Sequence, residues 1–187
     1  ADFAISLAGR SLALAPATSG KLQLSLMRGT QTGPIDFAVA HGAPATAVAT
    51  PAQSPGAMPD DGTLITFDVP ADAASGIYPL LISATDGAQT RYAPAVLIVD
   101  GLAPAVGVTR VRLTPSATLS ADGVVAVQVA WSAADAQSGL ASAQLEHSAD
   151  GANFVVIYGP GAATDVTSFD TLDGAHYFRV LGTDAVG

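Results

Sequence analysis

Residues 123–132 read GVVAVQVAWS, a run in which large apolar side chains stand at every second position. Gln128 and Ala130 fall on one face of an extended chain, because successive side chains of a strand point to opposite sides. The opposite face carries the larger apolar side chains: Val125, Val127, Val129 and Trp131. This period of two predicts a strand with one face in a hydrophobic core. We expect Trp131 to fill that core rather than to stack on a ligand.

Similar runs recur about every ten residues, separated by clusters of Gly, Pro, Asp and Ser, which is typical of a sandwich of antiparallel strands. In the first half of the chain the predicted strands lie within residues 20–29, 63–70, 75–87 and 89–100. Asp86 and Gly87 are expected to form the turn of a hairpin. In the second half of the chain the predicted strands lie within residues 109–113, 123–132, 140–148, 153–158, 166–171 and 175–184. The sequence therefore predicts an all-β protein.

The stretch DGLAP at residues 100–104 interrupts the alternation with Gly and Pro, as a short linker does. We place a domain boundary there, which gives two tandem antiparallel β-sandwich domains, residues 1–100 and residues 101–187. A chain of 187 residues is long enough for two such domains, and each is large enough to bury a core.

Composition excludes several classes of function. The formal net charge is −9, with only 7 Lys and Arg, so the chain lacks the basic surface with which proteins bind nucleic acid. There is no run of about 20 apolar residues that would span a membrane. The chain has no cysteine, so it forms no disulfide, and it has 49% hydrophobic residues, which favours a globular fold over disorder.

The runs VAVQVAWSAADAQSGLASAQLEHSADGANFVVI (125–157) and AHYFRVLGTDAVG (175–187) resemble the fibronectin type III-like and immunoglobulin-like modules of large bacterial extracellular proteins. Residues 1–99 resemble a bacterial immunoglobulin-like repeat through DFAISLAGRSLALAP at the start and ASGIYPLLISATDGAQTRYAPAVLIVD at the end. The resemblance implies that Tyr78 forms a tyrosine corner. It also places His176 at an inward position where these modules usually have tyrosine, and it implies an extracellular or cell-surface location.

Catalytic chemistry finds little support in the sequence. The three histidines, His41, His147 and His176, lie in no recognisable catalytic motif, and a packed or solvated role is the simpler interpretation. Asp60 and Asp61 stand in MPDDGT, where aspartate and glycine are typical of a turn. We therefore predict no enzymatic activity and no organic cofactor. Tyr177 and Arg179, expected to face outward on the last strand, form a more credible small binding surface.

Calcium is the one ligand for which candidate residues can be named. In an immunoglobulin-like sandwich the N-terminal segment and the loops after the second and sixth strands lie at one end, which would bring together Asp100, Asp135 and Asp184. Calcium takes six to eight oxygen ligands, and three carboxylates with carbonyls and water could supply them. The alternative is that Asp135 and Asp184 stabilise only their own turns.

The second domain contains six predicted strands, whereas a sandwich of this kind has seven. Without a seventh strand the sixth would present an open edge, and open edges recruit other strands. We therefore expect the polypeptide to continue past residue 187 with an apolar alternating strand, or a neighbouring chain to add one by β-augmentation. The expected partners are neighbouring domains of the same polypeptide or neighbouring copies.

These observations favour a structural, spacer or assembly segment of a larger secreted or cell-surface bacterial protein. The alternative is an adhesive or carbohydrate-binding module attached to an enzyme outside these residues. Exposed aromatic side chains in the loops would favour the alternative, and AGRS, PAQSPGAMPDDG, ADAQSG and GPGAATD contain none.

Overall fold

The computed structural model describes residues 2–30, 32–41, 48–51, 63–114, 123–161, 166–172 and 174–186. Over these residues every regular element is a strand, and the strands divide between two compact units, Ala1–Gly101 and Leu102–Ala185. The first unit contains β1 (Phe3–Leu7), β2 (Ser11–Leu14), β3 (Ser19–Arg28), β4 (Asp36–His41), β5 (Val48–Pro51), β6 (Thr63–Asp68), β7 (Gly76–Thr85) and β8 (Thr90–Val99). The second contains β9 (Ala105–Leu113), β10 (Val124–Ala134), β11 (Leu140–Ser148), β12 (Val155–Gly161), β13 (Val166–Leu172) and β14 (Tyr177–Asp184). The all-β prediction is confirmed.

The first unit is a sandwich of two four-stranded sheets, ordered β1-β3-β6-β5 and β2-β8-β7-β4. The side chains that alternate along its strands face each other between these sheets, because burying them removes apolar surface from water. The most deeply buried are Leu24, Ile35, Ile65, Phe67, Ile82, Leu97 and Val99. The alternation in residues 20–29, 63–70 and 75–87 therefore predicted the core-facing side of each strand correctly.

One pair of strands departs from the predicted antiparallel arrangement. β2 runs parallel to β8, with Ser11 opposite Val96 and Leu14 opposite Val99. β1 pairs in the sheet of β3 and β2 in the sheet of β8, so the chain crosses from one sheet to the other between Leu7 and Ser11. β1, β2, β4 and β5 were not among the predicted strands. The short runs of β4 and β5 lie in a stretch rich in Ala and Pro.

Two local features of the first unit confirm sequence predictions. The β7–β8 hairpin closes between Thr85 and Thr90, and Gly87 adopts a positive φ of 86° in its turn. The Asp86 carboxylate accepts hydrogen bonds from the N–H groups of Ala88 and Gln89, which lowers the pKa of Asp86. The Tyr78 hydroxyl donates to the carbonyl oxygen of Ala74 at 2.6 Å, four residues upstream, as a tyrosine corner requires.

The second unit is a sandwich of two three-stranded sheets, β13-β10-β9 and β12-β11-β14. Each of its six strands in the described residues overlaps a predicted one, although β9 begins earlier, at Ala105, and β10 and β12 end later, at Ala134 and Gly161. Trp131 is only 1% exposed, which confirms its place in the core, and its ring lies 5.6 Å from that of Tyr158. The remaining buried apolar side chains of this core are Val127, Val129, Ala143, Leu145 and Val180.

Candidate functional site

A cleft opens between the two sheets of the second unit. Its volume is about 400 Å³, and its floor is mostly apolar. The walls come from the end of β9, from β10, from the segment before β14 and from the start of β14: Val111, Leu113, Val127, Gly174, His176 and Phe178. Arg112 also borders it, while the Arg112 Nε donates to Gln128 Oε1 at 3.0 Å on the outer face of that sheet. The cleft is therefore an opening into the hydrophobic core of this sandwich.

The cleft exists because β9 is incompletely covered. Val111 and Leu113 face the core side of their sheet, opposite Val129 and Val127 in register. Yet Val111 is 47% exposed and Leu113 is 64% exposed, whereas Val129 is fully buried. Two apolar side chains that point toward the core thus remain largely open to solvent.

At the other end of β9, its contact with β14 is closely packed. Gly182 of β14 packs so tightly that an added Cβ would lie 2.7 Å from a methyl group of Val106. β14 is an edge strand that pairs, within the described part of the chain, with β11 alone. The two sheets therefore meet near Val106 and Gly182 and part toward Leu113 and His176.

A pair of histidines lies beside this cleft. The Nε2 atom of His147 and the Nδ1 atom of His176 are 2.8 Å apart, and the hydroxyl of Thr171 lies 3.2 Å from the His176 ring nitrogens. Phe178 packs on His147 with a centroid distance of 5.3 Å. Burial, and next the nearby His176 ring, lower the pKa of His147. His176 is half-buried, as its predicted inward position requires, and the other histidine, His41, ends β4 in the first unit.

The outer face of the sheet carries an ion pair that the sequence analysis did not anticipate. Glu146 and Arg179 are directly opposite each other on β11 and β14, and Arg179 Nε donates to Glu146 Oε2 at 2.5 Å. The Glu146 side chain is only 8% exposed, whereas that of Arg179 is 50% exposed and lies 4.1 Å from the centroid of the Phe154 ring. Gln144 donates a second hydrogen bond to Glu146. The available signal was that the only glutamate of the chain stands at an outward strand position.

Tyr177 and Arg179 face outward, as predicted, and are 48% and 50% exposed. Arg179 is held by Glu146 and Phe154. The ring of Tyr177 lies against the hairpin turn, where a Cβ added to Gly151 would be 3.4 Å from it. Both side chains therefore contact the loop between β11 and β12 while about half of each stays exposed, and the small binding surface stays a prediction.

The predicted calcium ligands divide between the two units. Asp135 Oδ1 accepts hydrogen bonds from the N–H groups of Gln137 and Gly139 at 3.0 and 2.9 Å, so Asp135 does stabilise its own turn. The carboxylates of Asp135 and Asp184 approach within 4.8 Å of each other in the second unit. Asp100 is buried in the first unit, where its N–H donates to the Leu14 carbonyl.

The calcium hypothesis, which requires all three carboxylates, stays a prediction. Its test is the melting temperature of the chain with millimolar calcium and with chelator; equal values would contradict it. Asp60 and Asp61 lie outside the described residues.

Solved structures similar to this chain include tandem domains of structural proteins. Domains A168–A170 of titin superpose with a TM-score of 0.54 at 16% identity, covering 99% of this chain and 61% of that chain. Domains 5–6 of the S-layer protein SbsC give a TM-score of 0.41 at 14% identity, covering 95% of both chains. No protein-family model and no curated protein sequence matches the chain.

The titin comparison establishes the fold, which is a tandem of immunoglobulin-like β-sandwich domains. The chain spans only 61% of that titin fragment, and the low identity carries no functional detail. Among the residues that the structure describes, no helix has the length and apolar character needed to cross a bilayer.

Proposed function

We propose that this chain is a non-catalytic structural segment, in which two sandwich domains act as a spacer or assembly unit within a larger protein. The observation that carries the proposal is that each unit contains a hydrophobic core built entirely from its own residues. Only residues 100–104 separate the last strand of the first unit from the first strand of the second. Compact domains in direct succession suit a spacer, since each resists unfolding by itself.

The strand order supports a finer assignment of the two domains. In the first unit β5 pairs with β6, which gives the sheet order β1-β3-β6-β5. Constant-type immunoglobulin domains have the same arrangement, with their fourth strand in the sheet of the first, second and fifth strands. In the second unit the fourth strand, β12, instead pairs with the third, β11. We assign the second domain as fibronectin type III-like on this basis. The resemblance of residues 1–99, 125–157 and 175–187 to modules of bacterial extracellular proteins supports a parent protein at a bacterial cell surface or in the extracellular medium.

The alternative, an adhesive or carbohydrate-binding module, receives less support. Sugar binding uses exposed aromatic rings, and the ring of Tyr177, although 48% exposed, lies against the turn at Gly151. A screen of the full chain against a glycan array tests this alternative, and saturable binding to one glycan class would favour it over the spacer.

Force spectroscopy on the full chain tests the spacer function. With one handle at each end, we expect two separate unfolding events, each lengthening the tether by about 30 nm, since an extended residue spans roughly 3.5 Å. A single event that releases the whole chain, or extension without a force peak, would contradict the proposal.

A further inference from the structure

We propose that the outer face of the sheet β2-β8-β7-β4 in the first unit binds the same face of a second copy of this chain. The two faces would pack sheet on sheet about a twofold axis, so that each copy contributes the same side chains. Such pairing is one form of the assembly role proposed above, on which it rests, and it names both the partner and the surface. Force spectroscopy of single chains tests the spacer function without this surface, so the two proposals can fail separately.

The two central strands of this sheet carry apolar side chains on both of their faces. Residues 77–82 of β7 read IYPLLI, and residues 92–99 of β8 read YAPAVLIV. A strand with one face in water normally alternates apolar and polar residues, whereas a continuous apolar run is typical of a strand that is buried on both faces. The inward side chains of β7 and β8 fill the core of the unit. The outward side chains lie at the surface, where Ile77 is 67% exposed and Tyr92 is 62% exposed.

The outward side chains of the four strands form one apolar surface, which we call the β7–β8 face. Its centre consists of cross-strand pairs on β7 and β8: Ile77–Ile98, Pro79–Val96 and Leu81–Pro94. Ala40 of β4 lies beside Leu81, and Ala13 of β2 lies beside Ile98. Among the described residues of these four strands, the single charged side chain at an outward position is Asp36, at the end of the face near the β7–β8 turn.

The opposite sheet of the same unit shows the ordinary pattern of an outer face. The outward side chains of β1, β3 and β6 are mostly polar, and they include Ser6, Lys21, Gln23, Ser25, Thr66 and Asp68. Among the described residues of those three strands, only Met27 and Leu64 are large and apolar at outward positions. Exposed apolar side chains that stand singly are normal, whereas a contiguous apolar patch marks an interaction surface. The β7–β8 face therefore has the character of an interface, and the opposite face does not.

The area of the β7–β8 face matches what a weak dimer needs. Four strands about 4.8 Å apart and seven residues at about 3.4 Å each give a surface of about 19 × 24 Å, or roughly 450 Å². Two such faces together would bury about 900 Å², the size of a weak and reversible interface. Packed on its own copy, the face meets a surface of equal size and equal chemistry. Dimerisation would bury no unpaired charge at its centre, and Asp36 would stay at the rim in water.

The net charge of −9 determines how the dimer should respond to salt. Because charged groups are nearly absent from the face itself, the two copies repel each other at long range, and salt screens that repulsion. We expect association to become several-fold tighter when NaCl is raised from about 0.05 M to about 0.5 M. An interface held by ion pairs would weaken over the same range.

Sedimentation velocity of the full chain at increasing concentration measures the association. We expect a monomer–dimer equilibrium with a dissociation constant between about 10 and 300 µM, in keeping with the small area of the face.

Leu81→Lys and Leu64→Lys are matched variants that locate the interface. The two leucines are 42% and 41% exposed, and they lie on opposite outer faces of the same unit. Each substitution makes the net charge less negative by one, so increased repulsion between copies cannot explain a loss of association. Leu81→Lys should weaken dimerisation by at least about tenfold, because it places an ammonium group at the centre of the interface. Leu64→Lys should leave the dissociation constant unchanged within about twofold.

Ile77→Lys is a second test if Leu81→Lys lowers the melting temperature of the chain. Ile77 lies on the same face and is exposed enough for the substitution to leave folding intact. This variant should also weaken dimerisation by several-fold.

Four results would overturn the proposal. These are a monomeric chain at about 1 mM, equal weakening by Leu81→Lys and Leu64→Lys, unchanged association of Ile77→Lys, and weaker association at higher salt. Binding of a monomeric chain to phosphatidylcholine vesicles, abolished by Leu81→Lys, would also overturn it, because the occupant of the face would then be a lipid surface.

Discussion

The hydrogen bond between the rings of His147 and His176 makes the stability of the second domain depend on pH. At 2.8 Å one ring nitrogen donates and the other accepts, so at least one ring is neutral. Burial lowers the pKa of His147, which means that the unfolded chain binds a proton more readily than the folded chain. The free energy of unfolding is therefore highest above about pH 6.5, the pKa of histidine in an unfolded chain, and it falls as the pH drops below that value.

We predict that the second domain unfolds at lower urea concentration at about pH 5 than at about pH 7. His147→Gln keeps a hydrogen-bonding group without a titratable ring and should reduce this difference. Urea denaturation followed by Trp131 fluorescence measures it, since Trp131 is the only tryptophan and lies in that core. The same pH dependence in wild type and variant would show that His147 does not cause it.

Strand pairing between β11 and β14 places Glu146 opposite Arg179. The two strands are therefore linked by an ion pair whose carboxylate is mostly buried. A buried charge that loses its partner costs more than the pair contributes, because the remaining ion stays out of water. Removing both charges avoids that cost. The ion pair thus makes the pairing of β11 with β14 specific rather than simply stronger.

We predict that Arg179→Leu destabilises the second domain by about 2 kcal/mol, because it leaves the Glu146 carboxylate without its cation. The double variant Arg179→Leu with Glu146→Leu should recover most of this loss. Urea denaturation of the wild type, both single variants and the double variant gives the coupling energy. If the two single effects simply add, the ion pair does not couple the strands.

Over the whole molecule, the two hydrophobic cores share no residue, and each belongs to one unit. Such an arrangement predicts that damage to one core lowers the stability of one domain. Trp131 and Phe67 are large, fully buried side chains of the second and first core, which makes them a matched pair.

We predict that Trp131→Ala destabilises the second domain by about 3–5 kcal/mol through lost burial and a residual cavity. Phe67→Ala should do the same to the first domain. Scanning calorimetry should show two transitions. Trp131→Ala should lower the temperature of one of them, and Phe67→Ala should lower the temperature of the other. A single transition that shifts equally in both would mean that the chain unfolds as one cooperative unit.

Alternation with a period of two was enough to predict the strands of the second unit, four of those in the first, and the place of Trp131, because burial of one strand face is recorded locally in the sequence. It did not reveal β1, β2, β4 and β5. Turn residues such as Asp86 and Gly87 and the tyrosine corner of Tyr78 are equally local. The tertiary structure alone decided which strands pair. It set β2 parallel to β8, brought His147 to His176 and Glu146 to Arg179, and left Val111 and Leu113 exposed beside β14. These contacts join residues far apart in sequence, so no short window of residues specifies them.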